Sequence, residues 1–232
     1  ASLDAMGALT NLDPYLARDP AWWEDYQSDV PENYRHMWNV PKGPAPPGWV
    51  AAVAPDGNAM MTFYRKDVFE KLGITVPKTW DDVIEVAKEI HDPKNERYAY
   101  CAAMARNFWA GYQFYGALRS WGGDYFVDER NQDWTPACSS EEGYQSLKTL
   151  VELQKYAHPV SANAGEDEVN QVFANGSALF SPLTWGTATL NDASYTEHHE
   201  HWHMDLSPKG TTPRSAHRAL AGGFGQFMPT WG

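Results

Sequence analysis

The 232-residue sequence predicts an α/β fold with helices covering a sheet, and three observations carry that expectation. From Asp67 onward, helix-period and strand-type segments alternate. Their ends carry suitable residues: Gly73 and Gly176 where helices stop, Thr79 and Ser140 where they start. Hydrophobic residues make up 43% of the chain, ample for a core at this length.

Residues 1–40 read as helical and irregular, with Pro20 near the start of the helix that opens Pro20-Ala21-Trp22-Trp23-Glu24-Asp25-Tyr26. Residues 41–48 hold four prolines and two glycines, a stiff loop unable to join a sheet. Strand candidates follow at 49–54 and 59–64, separated by Pro55-Asp56-Gly57-Asn58, which is hairpin-like turn chemistry. Residues 67–72 make a helix too short to be stable alone, closed by Gly73 in a left-handed conformation. Pro77-Lys78-Thr79-Trp80 then opens a helix over 80–91, with Thr79 as N-cap and Asp81 and Asp82 where the helix dipole favours negative charge. Its apolar stripe is Ile84, Ala87 and His91, or Val83, Ala87 and Ile90, and Trp80 beside the cap is a packing residue. A strand at 98–103 and a helix at 109–121 come next. The helix at 141–156 starts at Ser140 and repeats apolar residues at Tyr144, Leu147 and Val151. A helix over 166–175 and a strand over 177–183 continue the alternation.

A net charge of −12 with no basic run excludes nucleic acid and anionic membrane surfaces as partners, since both would be repelled. There is no run of 18 apolar residues, and Ala1-Ser2-Leu3-Asp4-Ala5-Met6 lacks the basic and apolar regions of a signal peptide. Two cysteines, Cys101 and Cys138, allow one bridge at most, or two free thiols. No Gly-x-Ser-x-Gly elbow, P-loop or His-Glu-x-x-His motif is present. A glycosidase needs two carboxylates across the scissile bond, and no Asp or Glu here falls in a recognisable catalytic setting.

Two constellations suit ligands. Eleven tryptophans are well above average usage; the plain reading is a Trp-rich core that takes most of them, and the functional one is stacking platforms for the C–H faces of sugars. In Glu197-His198-His199-Glu200-His201-Trp202-His203, a strand would put His199, His201 and His203 on one face, where a carboxylate could complete a zinc or copper site. The competing reading is variable surface.

Four ordered blocks give a more specific signal: Tyr64-Arg65-Lys66-Asp67 with Gly73 and Pro77-Lys78-Thr79-Trp80; Trp121-Gly122-Gly123-Asp124; Phe173 through Trp185; and Ala221-Gly222-Gly223-Phe224-Gly225. Together they resemble the family 1 extracellular solute-binding proteins of bacterial ABC sugar importers, with Arg65 where that family commonly has Asn. The resemblance implies a two-lobed periplasmic-binding-protein-like fold of mixed sheets flanked by helices. Residues 1–66 would be part of the N-terminal lobe, 67–217 most of the C-terminal lobe, and 218–232 a returning strand. Family members are longer, so the resemblance implies an internal fragment with one lobe incomplete, whose signal sequence lies upstream. It further implies a monomeric, extracytoplasmic protein, periplasmic or lipid-anchored, that serves membrane permease subunits and takes a carbohydrate or polyol without turnover or cofactor.

Position by position, the resemblance implies a ligand site of Asp56, Tyr64, Trp109, Tyr112, Trp185, Gly222, Gly223 and Phe224. In it Trp185 and a second aromatic hold a sugar face, and Asp56 accepts hydroxyl hydrogen bonds. Each has a plainer role open to it. Asp56-Gly57 is a turn dipeptide, Trp109 and Tyr112 can face the core, and Gly222-Gly223 can be a bulge.

Overall fold

The computed structural model describes residues 6–31, 39–40, 48–54, 57–128, 133–185, 188–218, 221–222 and 226–230. The chain opens with α1 (Asp13–Leu16), α2 (Pro20–Asp29), β1 (Asn39–Val40), β2 (Trp49–Val50), β3 (Ala52–Val53), β4 (Asn58–Ala59) and β5 (Met61–Arg65). It continues through α3 (Lys66–Leu72), α4 (Trp80–Ile90), β6 (Tyr98–Tyr100), α5 (Phe108–Trp121), β7 (Phe126–Asp128), β8 (Asp133–Pro136) and α6 (Glu141–Leu153). Last come α7 (Glu166–Ala174), β9 (Ala178–Thr184), β10 (Trp202–Asp205), β11 (Ala221–Gly222) and β12 (Gln226–Phe227).

These elements fall into two compact units. The smaller comprises Ala1–Asn58, Asp128–Trp134 and Ala221–Gly232; the larger comprises Ala59–Val127 and Thr135–Leu220. In the smaller unit β1 pairs antiparallel with β2, and β3 with β12. Its helix α2 begins as the sequence suggests, with Pro20 in the first turn and Asp19 accepting a hydrogen bond from the Trp22 amide. Trp22, Trp23 and Tyr26 lie at helical spacing, so their rings come to 5.2–6.3 Å of one another. The Tyr26 hydroxyl accepts from the Ala54 amide at 2.9 Å, which ties α2 to the end of β3.

The larger unit is built on one mixed sheet in the order β10-β5-β9-β6, with β6 parallel to β9 and the other pairs antiparallel. β5 therefore belongs to this unit's centre. The turn chemistry between 49–54 and 59–64 does not close a hairpin among the described residues, because β5 pairs with β9 and β10 in a larger mixed sheet. Every residue of β9 is buried, including Pro182, which has no amide hydrogen to give the ladder. The register accommodates this by shifting between Met61 and Phe63, opposite Ser181 to Thr184, as a bulge does.

Two apolar clusters form around the sheet. The larger contains Phe69, Trp80, Val83, Ala87, Ile90, Leu153, Leu179 and Leu183; the other contains Phe63, Phe173, Leu190 and Trp202. Helix α3 ends on Gly73 at φ +69°, and α4 begins with a reciprocal capping box between Thr79 and Asp82. Of the two stripes open to α4, the structure uses Val83, Ala87 and Ile90. Helix α6 starts at Ser140 and ends as α-helix at Leu153, followed by a 3-10 turn through Tyr156. Its inner face corrects the expectation. Tyr144, Leu147 and Val151 are 56–60% exposed, while Gly143, Ser146, Leu150 and Leu153 face inward.

Cys101 is buried and Cys138 half-buried, and both are free thiols. Burial pushes the Cys101 thiol up to about 12, so it is inert at neutral pH. No described helix is long and apolar enough to cross a membrane.

Two acidic groups couple this unit to pH. The Arg214 guanidinium hydrogen-bonds Glu142 at the start of α6 and holds its carboxyl below the usual range, and Arg65 does the same for Asp67 at the start of α3. A carboxylate lowered on folding adds stability above its unfolded pKa, near 4 for Asp and Glu, and that stability is lost as pH falls through the folded value. Melting temperature is thus expected to drop on acidification below about pH 4. Arg214→Met should flatten that drop, and an acid limb identical to wild type would rule out the pair as a contributor.

Candidate binding site

Helix α5 opens at Asn107, whose side chain accepts from the Trp109 amide at 2.9 Å. Trp109 and Tyr112, three residues apart, therefore share one face of its first turn. Two contacts bring that face to the end of β9. Gly116 lets the helix approach so closely that a Cβ there would sit 3.1 Å from the Leu183 side chain, and Gln113 Nε2 donates to the Leu183 carbonyl at 2.9 Å. Trp185 follows directly after β9, two residues beyond Leu183, and its ring meets the rings of α5.

The three rings make a corner. Trp185 lies 6.0 Å from Trp109 at 63° and 5.5 Å from Tyr112 at 79°, while Trp109 and Tyr112 are 6.2 Å apart at 85°. Three edge-to-face contacts hold each ring against the next. Phe108 extends the wall, 4.7 Å from Trp109, and is 56% exposed; Tyr112 is 40% exposed. Gly165, just before α7, backs this wall, since a Cβ there would stand 3.1 Å from Trp109 Nε1. Near that contact stands Glu166, whose carboxyl is raised by burial and then by Asp167. Three of the expected ligand residues are thus brought together. Phe108 and Gly165 are additions that nothing in the sequence singled out.

Tyr64, on β5, packs against Phe69 at 5.1 Å and His203 at 6.3 Å, and burial followed by the Asp205 charge raises its phenol. Gly222 lies in β11 of the smaller unit, and Asp56, Gly223 and Phe224 are outside the described residues.

The histidine run does not assemble a metal centre. The strand begins only at Trp202, so His198 to His201 form a turn rather than one face of a strand. Among the described residues, no group of three His, Cys, Asp or Glu side chains is placed to hold a metal. His198 is instead held below its usual pKa by burial and then by the buried Arg65, whose guanidinium stands over the Trp202 ring.

An aromatic corner on an α/β unit is a surface on which a small solute can stack. The chain belongs to the bacterial extracellular solute-binding protein family, whose model matches residues 1–224. It is 24% identical over 201 residues to a mannitol-binding protein of Pseudomonas aeruginosa, covering 84% of this chain and 45% of that one. It is 28% identical over 116 residues to a putative ABC transporter periplasmic-binding protein of Escherichia coli, covering 50% of this chain and 26% of the relative. Among solved structures, an ABC transporter solute-binding protein of Agrobacterium radiobacter in complex with ribitol superposes with a TM-score of 0.81 at 20% identity, over 98% of this chain and 54% of that one. A maltose-bound Thermotoga maritima protein superposes at 0.78 with 24% identity, over 97% of this chain and 54% of that one. The chain therefore spans about half the length, or less, of the relatives it matches. The likeness bears out the expected fold class, since the matching structures are two-lobed periplasmic binding proteins with mixed sheets flanked by helices.

Proposed function

We propose that this chain is the ligand-holding part of an ABC importer's extracytoplasmic solute-binding protein, and that it takes a neutral carbohydrate or polyol at the corner of Trp109, Tyr112 and Trp185. The observation that carries the reading is the mutual edge-to-face packing of those three rings, all at 63–85° to one another. Such a corner meets the C–H face of a sugar or polyol on two sides and needs no charge to do so. The mannitol-binding relative and the ribitol complex support the ligand class. The protein would act as a monomer, deliver its ligand to membrane permease subunits, and perform no chemistry on it.

The test is melting temperature and tryptophan fluorescence against D-mannitol, ribitol and maltose. A ligand that binds only the folded chain must raise its melting temperature. Trp185→Ala should weaken the responding ligand by about 1–3 kcal/mol, roughly 5- to 150-fold, with the fold intact. No response to any of the three would sink the reading, and unchanged affinity in Trp185→Ala would move the site elsewhere.

A further inference from the structure

Phe108 is 56% exposed at the first position of α5, and the start of that helix does not call for a large apolar side chain, because Asn107 already caps it. A lone exposed phenylalanine needs no explanation, but an exposed ring joined to an aromatic patch does. Phe108 meets Trp109 at 4.7 Å and 42°, and Tyr112, one turn along the helix, at 5.4 Å and 59°. Tyr112 is itself 40% exposed, whereas Trp109 and Trp185 are half-buried. A helix covers its own backbone, so exposure on this scale is ring surface open to solvent.

Trp185 and Phe108 each touch the Trp109–Tyr112 pair, and among the described residues no ring contact joins them to each other. The rings therefore make a surface longer than the corner, running from Trp185 through the pair to Phe108 and most open at the Phe108 end. A single sugar ring or a polyol seated against Trp185 and Tyr112 uses the corner alone and leaves Phe108 in water. A chain of sugar units presents one apolar C–H face after another, so its second unit can cover the Phe108 ring and take that surface out of water.

We infer that Phe108 is a second stacking platform, a specificity-determining residue that selects a saccharide of at least two units, one at the corner and the next over Phe108. The inference rests on the proposed carbohydrate or polyol reading and deepens it. The resulting selectivity is by length rather than by charge. The corner holds any hydroxylated solute with an apolar face, and only a longer one gains from Phe108.

The experiment is calorimetry on the 232-residue chain, with D-mannitol, ribitol and glucose as short probes and maltose, cellobiose and laminaribiose, each two glucose units, as long ones. At least one disaccharide is expected to bind about tenfold more tightly than any short probe. Phe108→Ala should remove that gain and change the affinity for short probes by less than about twofold. Its melting temperature without ligand should stay near that of wild type, as for an exposed position. Phe108→Tyr, which keeps a ring, should retain the gain, and Trp185→Ala should weaken every probe that binds. A loss in Phe108→Ala shared equally by short and long probes would make the ring a support for the corner and overturn the platform. A short probe that binds as tightly as every disaccharide would overturn it too, and either result leaves the carbohydrate or polyol reading standing. A chain that binds none of the probes would overturn the platform together with the reading on which it rests.

Discussion

Trp80→Ala is expected to lower the stability of the chain by about 3–5 kcal/mol, the largest loss from any single truncation in the larger unit. The ring is 1% exposed and sits in the main apolar cluster at the start of α4. Removing it takes away a large buried surface and leaves a cavity that its neighbours in the cluster cannot fill without moving. It also breaks a relay. Trp80 Nε1 donates to Ser120 Oγ at 2.7 Å, and Ser120 Oγ donates to the Ala117 carbonyl at 2.7 Å, so the indole ties the start of α4 to the last turn of α5. Trp80→Phe keeps most of the volume but loses the N–H and a small part of the ring, so it should cost about 1–3 kcal/mol. Urea denaturation checks both: the midpoint should fall in that order with the slope unchanged. Equal losses in the two variants would mean that the hydrogen bond, not the packing, is the larger effect.

How far the sequence revealed these relations depends on distance along the chain. The cap at Thr79 and the left-handed stop at Gly73 are settled within a few residues and stand as read, while of the two stripes open to α4 the fold selects Val83, Ala87 and Ile90. The partners of β5 are not local. Its neighbours are β9 and β10, more than a hundred residues on, whereas the turn dipeptide at Asp56-Gly57 argued for a nearby hairpin. The histidine run failed for a related reason: alternation suggested a strand, but the residues before Trp202 turn back instead. In the site, the resemblance to the family supplied Trp109, Tyr112 and Trp185, and their meeting at one corner was visible only in the fold. Gln113 offered no signal, since a lone glutamine in a helix becomes informative only when its burial and its bond to the Leu183 carbonyl are visible.

The phase of α6 was misread for a reason that yields the second large effect. Amphipathic reasoning assigns the inner face to the largest apolar residues, here Tyr144, Leu147 and Val151. The inner face actually carries Gly143 and Ser146 in its first turns, because the helix start is pressed against backbone rather than against side chains. An ideal Cβ on Gly143 would overlap the Cys138 carbonyl oxygen and lie 2.9 Å from its carbon. Helix propensity alone says that Gly143→Ala should stabilise α6 by about 1 kcal/mol. The contact reverses the sign. A backbone carbonyl cannot swing aside as a side chain can, so either residues 138–140 or the first turn of α6 must move. Moving that turn loosens the Ser140 cap and the pairing of Glu142 with Arg214. We expect Gly143→Ala to cost about 3 kcal/mol, at the upper end for overpacking, because cap and ion pair go with the clash. Propensities measured at exposed helix positions do not transfer to such a contact. Gln145→Ala, two residues on and away from Cys138, is the control that should change stability by less than about 0.5 kcal/mol. If Gly143→Ala raised the melting temperature, the close approach of α6 to Cys138 would be wrong, and with it the explanation of why this helix turns its large apolar residues outward.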